Sequence, residues 1–445
     1  MVATHRSPSD ADVVVIGAGV AGLRAAAVLH EAGAEVVVIE RSDAVGGRVR
    51  SDDVDGYVVD RGFQVLNPAY PALRRAVDLG RLGLQPFTAG LAVRDDAGLR
   101  RLGHPARAPR LLPGALAALV RNPGEAFALL RWVRPILVAG RAGHQLVPRL
   151  DHVPDLDLHA GLDAAGIDGE LRATLEAFLA GVVLDEPGRV AQRYVLLVLR
   201  TFLLGNPGVP ARGVRALPEL MAAPLTGRLH LETEAASVRT VADGVEVSTS
   251  AGTVRARAAV CAADAAGALR LLDLPAPEPR GVVTQWWATD EAPAADALVH
   301  VDLRRRGPLV NTAVMTRAAP AYAPPGSHLV QGSALLSPGA GDAVAEQRMR
   351  THAGEIYGVD TAHWRPIARH EIPEALPALP APAGDRLGGV VALEGSVVVC
   401  GDHRSTPSLQ GALSSGERAA RLLLPRLGLA HPDHGARAAR VARAG

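Results

Sequence analysis

The chain has 445 residues, 48% of them hydrophobic and 21% charged, with a net charge of +1. That balance describes a globular protein long enough for two domains and gives no global field for nucleic acid or membrane. All 47 basic residues are arginine, which removes lysine Schiff-base and lysine general-base chemistry.

The first eleven residues are polar, without the apolar core of a secretory signal. No apolar run reaches the roughly 18 residues of a spanning helix. Cys261 and Cys400 each follow an apolar run and read as buried strand residues, with neither a disulfide framework nor zinc spacing. A cytoplasmic protein with no integral membrane segment is the expectation.

Val13 to Ile16 form a short β-branched run suited to a strand buried on both faces. Gly17, Gly19 and Gly22 follow at G-x-G-x-x-G spacing, then a helical stretch over about 20–32 closed by Gly33. A second buried strand, Val36 to Ile39, ends on Glu40. Each part of this βαβ unit suits an adenine dinucleotide. Gly17 permits the tight turn, Gly19 a close approach to pyrophosphate, and Gly22 close packing of helix on strand. The helix N-terminus offers free N–H groups to phosphate. Glu40, 18 residues after Gly22, is placed to accept from a ribose hydroxyl and disfavours a 2′-phosphate. Beyond it, Arg41 precedes Gly46-Gly47, a pair suited to a second close approach, and Arg48 offers a planar fork to a phosphate.

Together these residues resemble the flavin-containing amine oxidase superfamily, which includes protoporphyrinogen oxidases and carotenoid desaturases. The segment Gly56 to Val65 extends the resemblance: in the family, the stretch matching Gly62, Phe63 and Gln64 passes beside the isoalloxazine ring. Phe63 here replaces a small residue.

Residues 79–211 read as helical, with patterns over 113–120, 124–137, 168–179 and 190–204. Tracts such as Ala126–Leu130 and Tyr194–Leu199 are expected to be buried or to line a cavity. Residues 111–140 have apolar faces broken by Arg121, Arg131 and Arg134. A buried face is expected there, because three arginines make a thin footprint for anionic lipid; peripheral membrane contact is the alternative.

Strands alternate over 229–232, 236–241, 245–250 and 253–257, with a further buried strand at 259–263. The resemblance puts Val238 where a backbone amide meets adenine. Further strands are predicted over 282–289, 297–303, 309–316 and 328–333, then a helix over 343–357. Gln285 and Trp287 share one face of the first of these strands, opposite Trp286. Gln64, Gln285 and Trp287 are the candidates for substrate contact, each set against a plain core role. The proline-rich 372–382 leads back to the cofactor.

Val397 to Cys400 reads as a buried strand ending at Asp402, and a helix begins near Leu409. The resemblance assigns Asp402 to the ribityl or pyrophosphate region, and Leu409, Gln410 and Ala412 to the helix end facing the flavin pyrimidine. The implied fold is α/β: a Rossmann-type FAD-binding domain of p-hydroxybenzoate hydroxylase topology from 1–78, 212–280 and 384–430. A mixed α+β substrate-binding domain takes 79–211 and 281–383, and 431–445 form a tail.

The expected function is an FAD-dependent oxidoreductase with non-covalent FAD, since no cysteine occurs in 360–395. Its substrate would be a largely apolar molecule oxidised at a C–C or ring C–N bond, with oxygen or another acceptor taking the electrons. No lysine is present, and Ser408 stands where family amine oxidases carry a cage tyrosine. Those departures leave an amine oxidase with an unusual pocket as the alternative, and a non-catalytic flavin-binding partner as a second. No metal site is expected: His431, Asp433 and His434 lack a further ligand nearby. Arg304–Arg306 reads as a solvated turn, not a nucleic-acid patch.

Overall fold

Val13, Val14 and Val15 are fully buried, as an unbroken β-branched run in a parallel sheet requires. Val13 and Val15 pack into one core and Val14 with Ile16 into another, on opposite faces of strand β1 (Ala11–Ile16). These positions come from a computed structural model that describes residues 11–138, 150, 152–185, 188–336, 344–388 and 393–430. β1 lies between β2 (Val36–Ile39) and β12 (Gly252–Cys261), parallel to both. β9 (Leu229–His230) extends the sheet beyond β2. On the other side β12 meets β19 (Val397–Val399), which carries β18 (Leu393–Glu394), and β10 (Ala235–Val241) and β11 (Gly244–Thr249) form a meander with it. The two strands predicted over 253–263 are one. Ala256 pairs with Val245 of the meander and with Ala11 of the parallel sheet, so β12 passes between them without a break.

Helix α1 (Val20–Glu31) crosses the C-terminal helix α13 (Leu409–Leu427) closely. A Cβ on Gly416 would lie 2.1 Å from the Ala21 carbonyl oxygen, so only glycine fits the crossing. Arg24 on α1 meets Glu417 on α13 at 3.1 Å, with side chains only 9% and 4% exposed. Burial opposes ionisation of Glu417, but Arg24, Arg75 and Arg421 overcome it and hold its pKa below the ordinary value.

The second sheet has the order β17 (Arg365–Pro377), β13 (Pro279–Thr289), β16 (His328–Leu336), β15 (Leu309–Val314), β14 (Val299–Asp302), β6 (Gly90–Asp95) and β7 (Gly98–Gly103). Two ribbons, β3 (Ser51–Val54) with β4 (Tyr57–Asp60) and β5 (Leu84–Pro86) with β8 (Gly208–Pro210), join the sheets. The β6–β7 hairpin falls inside the stretch expected to be helical. Its turn is set by Asp95, whose carboxylate accepts from the Ala97 and Gly98 amides. β17 takes up most of the proline-rich return segment, and its place at the sheet edge tolerates Pro366, Pro373 and Pro377.

Helices α4 (Leu112–Arg121), α5 (Pro123–Val138), α6 (Leu158–Ala165), α7 (Glu170–Val183) and α8 (Gln192–Leu204) cap this second sheet. The Tyr194–Val198 part of α8 is buried as expected. Within the described part of residues 111–140 the expected buried face is present on α5, where Ala128, Trp132 and Ile136 are buried, and absent on α4. α4 buries only Ala118, while Leu116, Val120, Phe127, Leu130 and Leu137 are exposed. Short helices α2 (Pro71–Ala76), α3 (Leu79–Leu82), α9 (Ala216–Ala222), α10 (Ala265–Leu272) and α11 (Met315–Ala318) connect the elements, and α12 (Glu346–Tyr357) covers the back of the second sheet.

Candidate active site

A cavity of about 1100 Å³ runs from the β1–α1 turn to α5, α7 and α8. Its polar end is built from glycines. Gly17 has φ +102°, and a Cβ there would lie 2.8 Å from the Ala262 carbonyl oxygen. Gly22 is excluded from bearing a side chain by the Gly17 carbonyl, 2.0 Å from its Cβ position. Gly19 differs: its φ is an ordinary −67°, and a Cβ would meet no protein atom within 4 Å. Glycine at 19 therefore keeps space free in the cavity rather than satisfying the backbone.

Gly19 is also the N-cap of α1, which has no side-chain cap and no acid in its first turn, leaving its first N–H groups to an anion. Gly46 and Gly47 turn back beside it with φ +117° and +60°, and the Gly46 amide donates to the Ala18 carbonyl at 2.9 Å. Glu40 is buried on the wall, accepting from the Ala18 amide at 2.7 Å and the Ser42 amide at 2.9 Å. Each oxygen keeps a further lone pair for a hydroxyl donor. Arg41 sits at the exposed edge and pairs with Asp264 at 3.1 Å.

Arg48 donates to Asp402 at 2.7 Å and to the Ala375 carbonyl at 2.6 Å, so its fork joins the end of β17 to the loop before α13. Gly62, Phe63 and Gln64 all line the cavity. The Gln64 amide nitrogen donates to the carbonyls of Arg48 and Arg61, and Phe63 meets Phe87 edge-on at 5.9 Å. Just before them Asp60 accepts from Ser51, the Val214 amide and Tyr322. Complete burial still pushes its pKa up to about 6.

At the C-terminal side, Asp402, Leu409 and Ala412 line the cavity. Gln410 does not: its amide oxygen accepts from the Ala72 amide and its nitrogen donates to Ser414, turning it toward α2. Ser408 caps α13 by accepting from the Gly411 amide at 3.1 Å. Val238 also lies outside the wall, paired with Val247 within the meander. Thr233, Glu234 and Ala235 line the cavity instead, because the chain passes the groove as it enters β10.

The placement expected for Gln285 and Trp287 is corrected as well. They do share a face, but it is the back of β13. Trp287 is fully buried with Met349 and Tyr357 of α12 and donates to Glu346 at 2.7 Å. Gln285 donates to the Ala368 carbonyl at 3.0 Å, while Val282 on the opposite face lines the cavity.

Beyond the glycines the wall is apolar, with Leu102, Leu129, Val133, Leu175, Phe178 and Phe202 among its residues. One polar patch on it is Asn311 and Ser333, tied through Gln331 at 3.1 Å on each side, and Thr88, His104, Arg107, Thr174 and Asn206 also line the wall. Tyr194 crosses from α8 to donate to the Pro407 carbonyl at 2.5 Å. His403 is a further wall residue that motif reading missed; burial pulls its pKa down to about 4, so the ring is neutral. Among the described residues no group of three or more His, Cys, Asp or Glu could hold a metal. The His431–His434 cluster lies outside the described residues.

Glycine turns at the carboxyl edge of a parallel sheet, closed by a strand–loop–helix from the far end of the chain and opening onto an apolar chamber, define a flavoprotein oxidoreductase of the dinucleotide-binding type. The flavin containing amine oxidoreductase family matches residues 20–424, and the chain belongs to that family. That family is one of flavin-dependent oxidoreductases.

Putrescine oxidase of Kocuria rosea is 47% identical over 76 residues, covering 17% of this chain and 16% of that protein. The chain thus matches about a sixth of the length of that relative. Carotenoid phi-ring synthase of Streptomyces griseus is 26% identical over 94% of this chain and 88% of its own. Among solved structures, a putrescine oxidase double mutant superposes with a TM-score of 0.71 at 19% identity, covering 94% of this chain and 100% of its own. No helix among the described residues is long and apolar enough to cross a membrane.

Proposed function

We propose that the protein dehydrogenates a large, largely apolar organic substrate, at a C–C or ring C–N bond, using non-covalently bound FAD. The observation that carries this is the cavity wall: beyond the glycine end it is built mostly from leucine, valine and phenylalanine, with a few polar residues such as Asn311, Ser333, His104 and Arg107 set among them. The 94% coverage by a carotenoid ring synthase supports a polyisoprenoid class of substrate.

The residues fit the cofactor. The N–H groups at Gly19 and the first turn of α1 would hold the pyrophosphate, Glu40 the adenosine ribose, and the chain at Ala235 the adenine. Asp402, positioned by Arg48, would hold the ribityl portion, with Gly62–Gln64, Leu409 and Ala412 around the ring. Bound flavin supplies the two-electron acceptor. The apolar wall orients the substrate and excludes water, and Asn311 offers a hydrogen bond to one polar group of it. Cys261 and Cys400 are fully buried and lie outside the wall, which supports non-covalent attachment.

An anaerobic screen following loss of the oxidised-flavin absorbance tests this reading. Bleaching by polyenes or other apolar ring compounds is expected. Bleaching by primary or secondary amines alone would select the amine oxidase alternative, which the putrescine oxidase relative favours. Flavin that stays with acid-precipitated protein would overturn non-covalent binding.

A further inference from the structure

The exposed side of α4 and α5 is apolar where a solvated helix would be polar. On α4, Pro113, Leu116, Ala117 and Val120 form one exposed stripe at i, i+3, i+4, i+7 spacing. On α5, Phe127, Leu130 and Leu137 lie exposed on one face at i, i+3, i+10 with Arg134 among them, and Val120 and Phe127 are exposed by 76% and 70%. Arginines surround them, of which Arg100, Arg101 and Arg121 are paired with Asp95, Glu170 and Asp296. Residues 97–138 contain seven arginines and a single acid, Glu125, in a chain whose net charge is only +1. Glu125 is occupied, accepting from the amides of Gly169, Leu171 and Arg172 at the start of α7. Arg110 and Arg134 are exposed and have no acidic partner among the described residues.

The same surface is the rim of the cavity. Leu119, Leu130, Leu137 and Leu203 all line it and are all exposed, by 42%, 58%, 49% and 40%. An apolar rim continuous with an apolar chamber lets a water-insoluble molecule pass inward without crossing water.

We infer that the α4–α5 face seats the protein on an anionic phospholipid surface, with the cavity mouth opening into the acyl region and its arginines among the headgroups. Apolar side chains at helical spacing with arginine between them suit the boundary of headgroup and acyl chain, and Arg110 and Arg134, exposed and without an acidic partner among the described residues, favour anionic lipid over a second copy of the same face. The inference extends the apolar-substrate reading by naming where the substrate is held.

Flotation of FAD-loaded protein tests it without any substrate, so that failure of the substrate reading and failure of this one are separable. Binding is expected to phosphatidylcholine vesicles containing about a third phosphatidylglycerol, weakening in high salt, with much less to phosphatidylcholine alone. The pair Arg110→Gln and Arg134→Gln lowers partition by about tenfold or more, at roughly one headgroup attraction per arginine. The pair Val120→Ser and Phe127→Ser lowers it comparably; both side chains are exposed and outside the cavity wall, so flavin content is the control for folding. Absence of flotation on the anionic vesicles overturns the inference. Binding that none of the four substitutions weakens overturns it too. So does a wild-type dimer in sedimentation velocity that Val120→Ser and Phe127→Ser dissociate, which would assign the face to a second copy.

Discussion

Arg48 and Asp402, 354 positions apart in sequence, meet at 2.7 Å on the cavity wall. The guanidinium is partly exposed at 38% while the carboxylate is buried at 7%, so the carboxylate depends on the arginine more than the reverse. Asp402 receives its charge-assisted bond from a residue of the N-terminal glycine segment, and the two ends of the chain are joined where the cofactor is proposed to lie.

Replacing Arg48 by Met is expected to cost about 1–3 kcal/mol of stability, less than a fully buried pair because the arginine is partly solvated. Combining it with Asp402→Leu should recover much of that loss but not FAD affinity. Urea unfolding of the apoprotein and FAD fluorescence titration separate the two effects. Equal recovery of both would show that the pair is structural alone.

Gly19 and Gly22 are predicted to fail in different ways. Valine at 19 points into open cavity, so the apoprotein should fold with near-wild-type stability and lose FAD. Valine at 22 collides with the Gly17 carbonyl and should destabilise the fold by about 1–3 kcal/mol or more. Circular dichroism melts of both apoproteins, beside their flavin content, check the contrast. A Gly19→Val protein that still purifies yellow contradicts it.

Asp60 imposes a pH dependence of known sign. Its folded pKa of about 6 lies above the ordinary 3.8 because burial disfavours the charge. The native state therefore favours the protonated acid, and this stabilisation is complete below about pH 4 and lost as pH rises through 6. Asp60→Asn removes the titration. Its stability relative to wild type should rise by on the order of 2–3 kcal/mol between about pH 4 and pH 7. Denaturant titrations of both proteins across that range measure it, and a constant difference would mean Asp60 titrates as an ordinary carboxyl.

Trp287→Phe should leave flavin content and bleaching rate within about twofold of wild type, and lower stability by roughly 1 kcal/mol through loss of the hydrogen bond to Glu346. Leu175→Glu puts an unpaired charge into the apolar chamber and should abolish turnover while flavin remains bound. A Trp287→Phe enzyme that binds FAD but no longer turns over would return that residue to the substrate site.

The glycine turn was legible because its chemistry is local. Gly17, Gly22 and Gly46 are required by atoms a few residues away or in the adjoining strand. Glu40 and Asp402 were legible because each follows a buried strand at the edge where the groove forms. Val238, Gln285, Trp287 and Gln410 needed information that alternation does not contain. Period two says that Gln285 and Trp287 share a face; only the packing of α12 says which face it is. Gln410 lies between the wall residues Leu409 and Ala412, and helical spacing alone turns it to α2. The α4 and α5 patterns were ambiguous for a different reason. An apolar stripe has the same period whether it meets a core or a lipid, and only the buried side of each helix distinguishes them. The β6–β7 hairpin left a readable trace in Asp95-Asp96-Ala97-Gly98, but the surrounding helical patterns outweighed it.

The crossing of α1 with α13 has a bearing on how the protein is made. α1 is synthesised well before α13, the last described helix, yet Gly416 must reach the Ala21 carbonyl and Glu417 must reach Arg24 before that core is closed. Until then the newborn chain carries the glycine turn with its back to water, and β12 lacks β19 at its side. The proposed flavin site is accordingly complete only once α13 is made, and a chain cut before that helix is expected to hold neither the cofactor nor the packing around the first sheet.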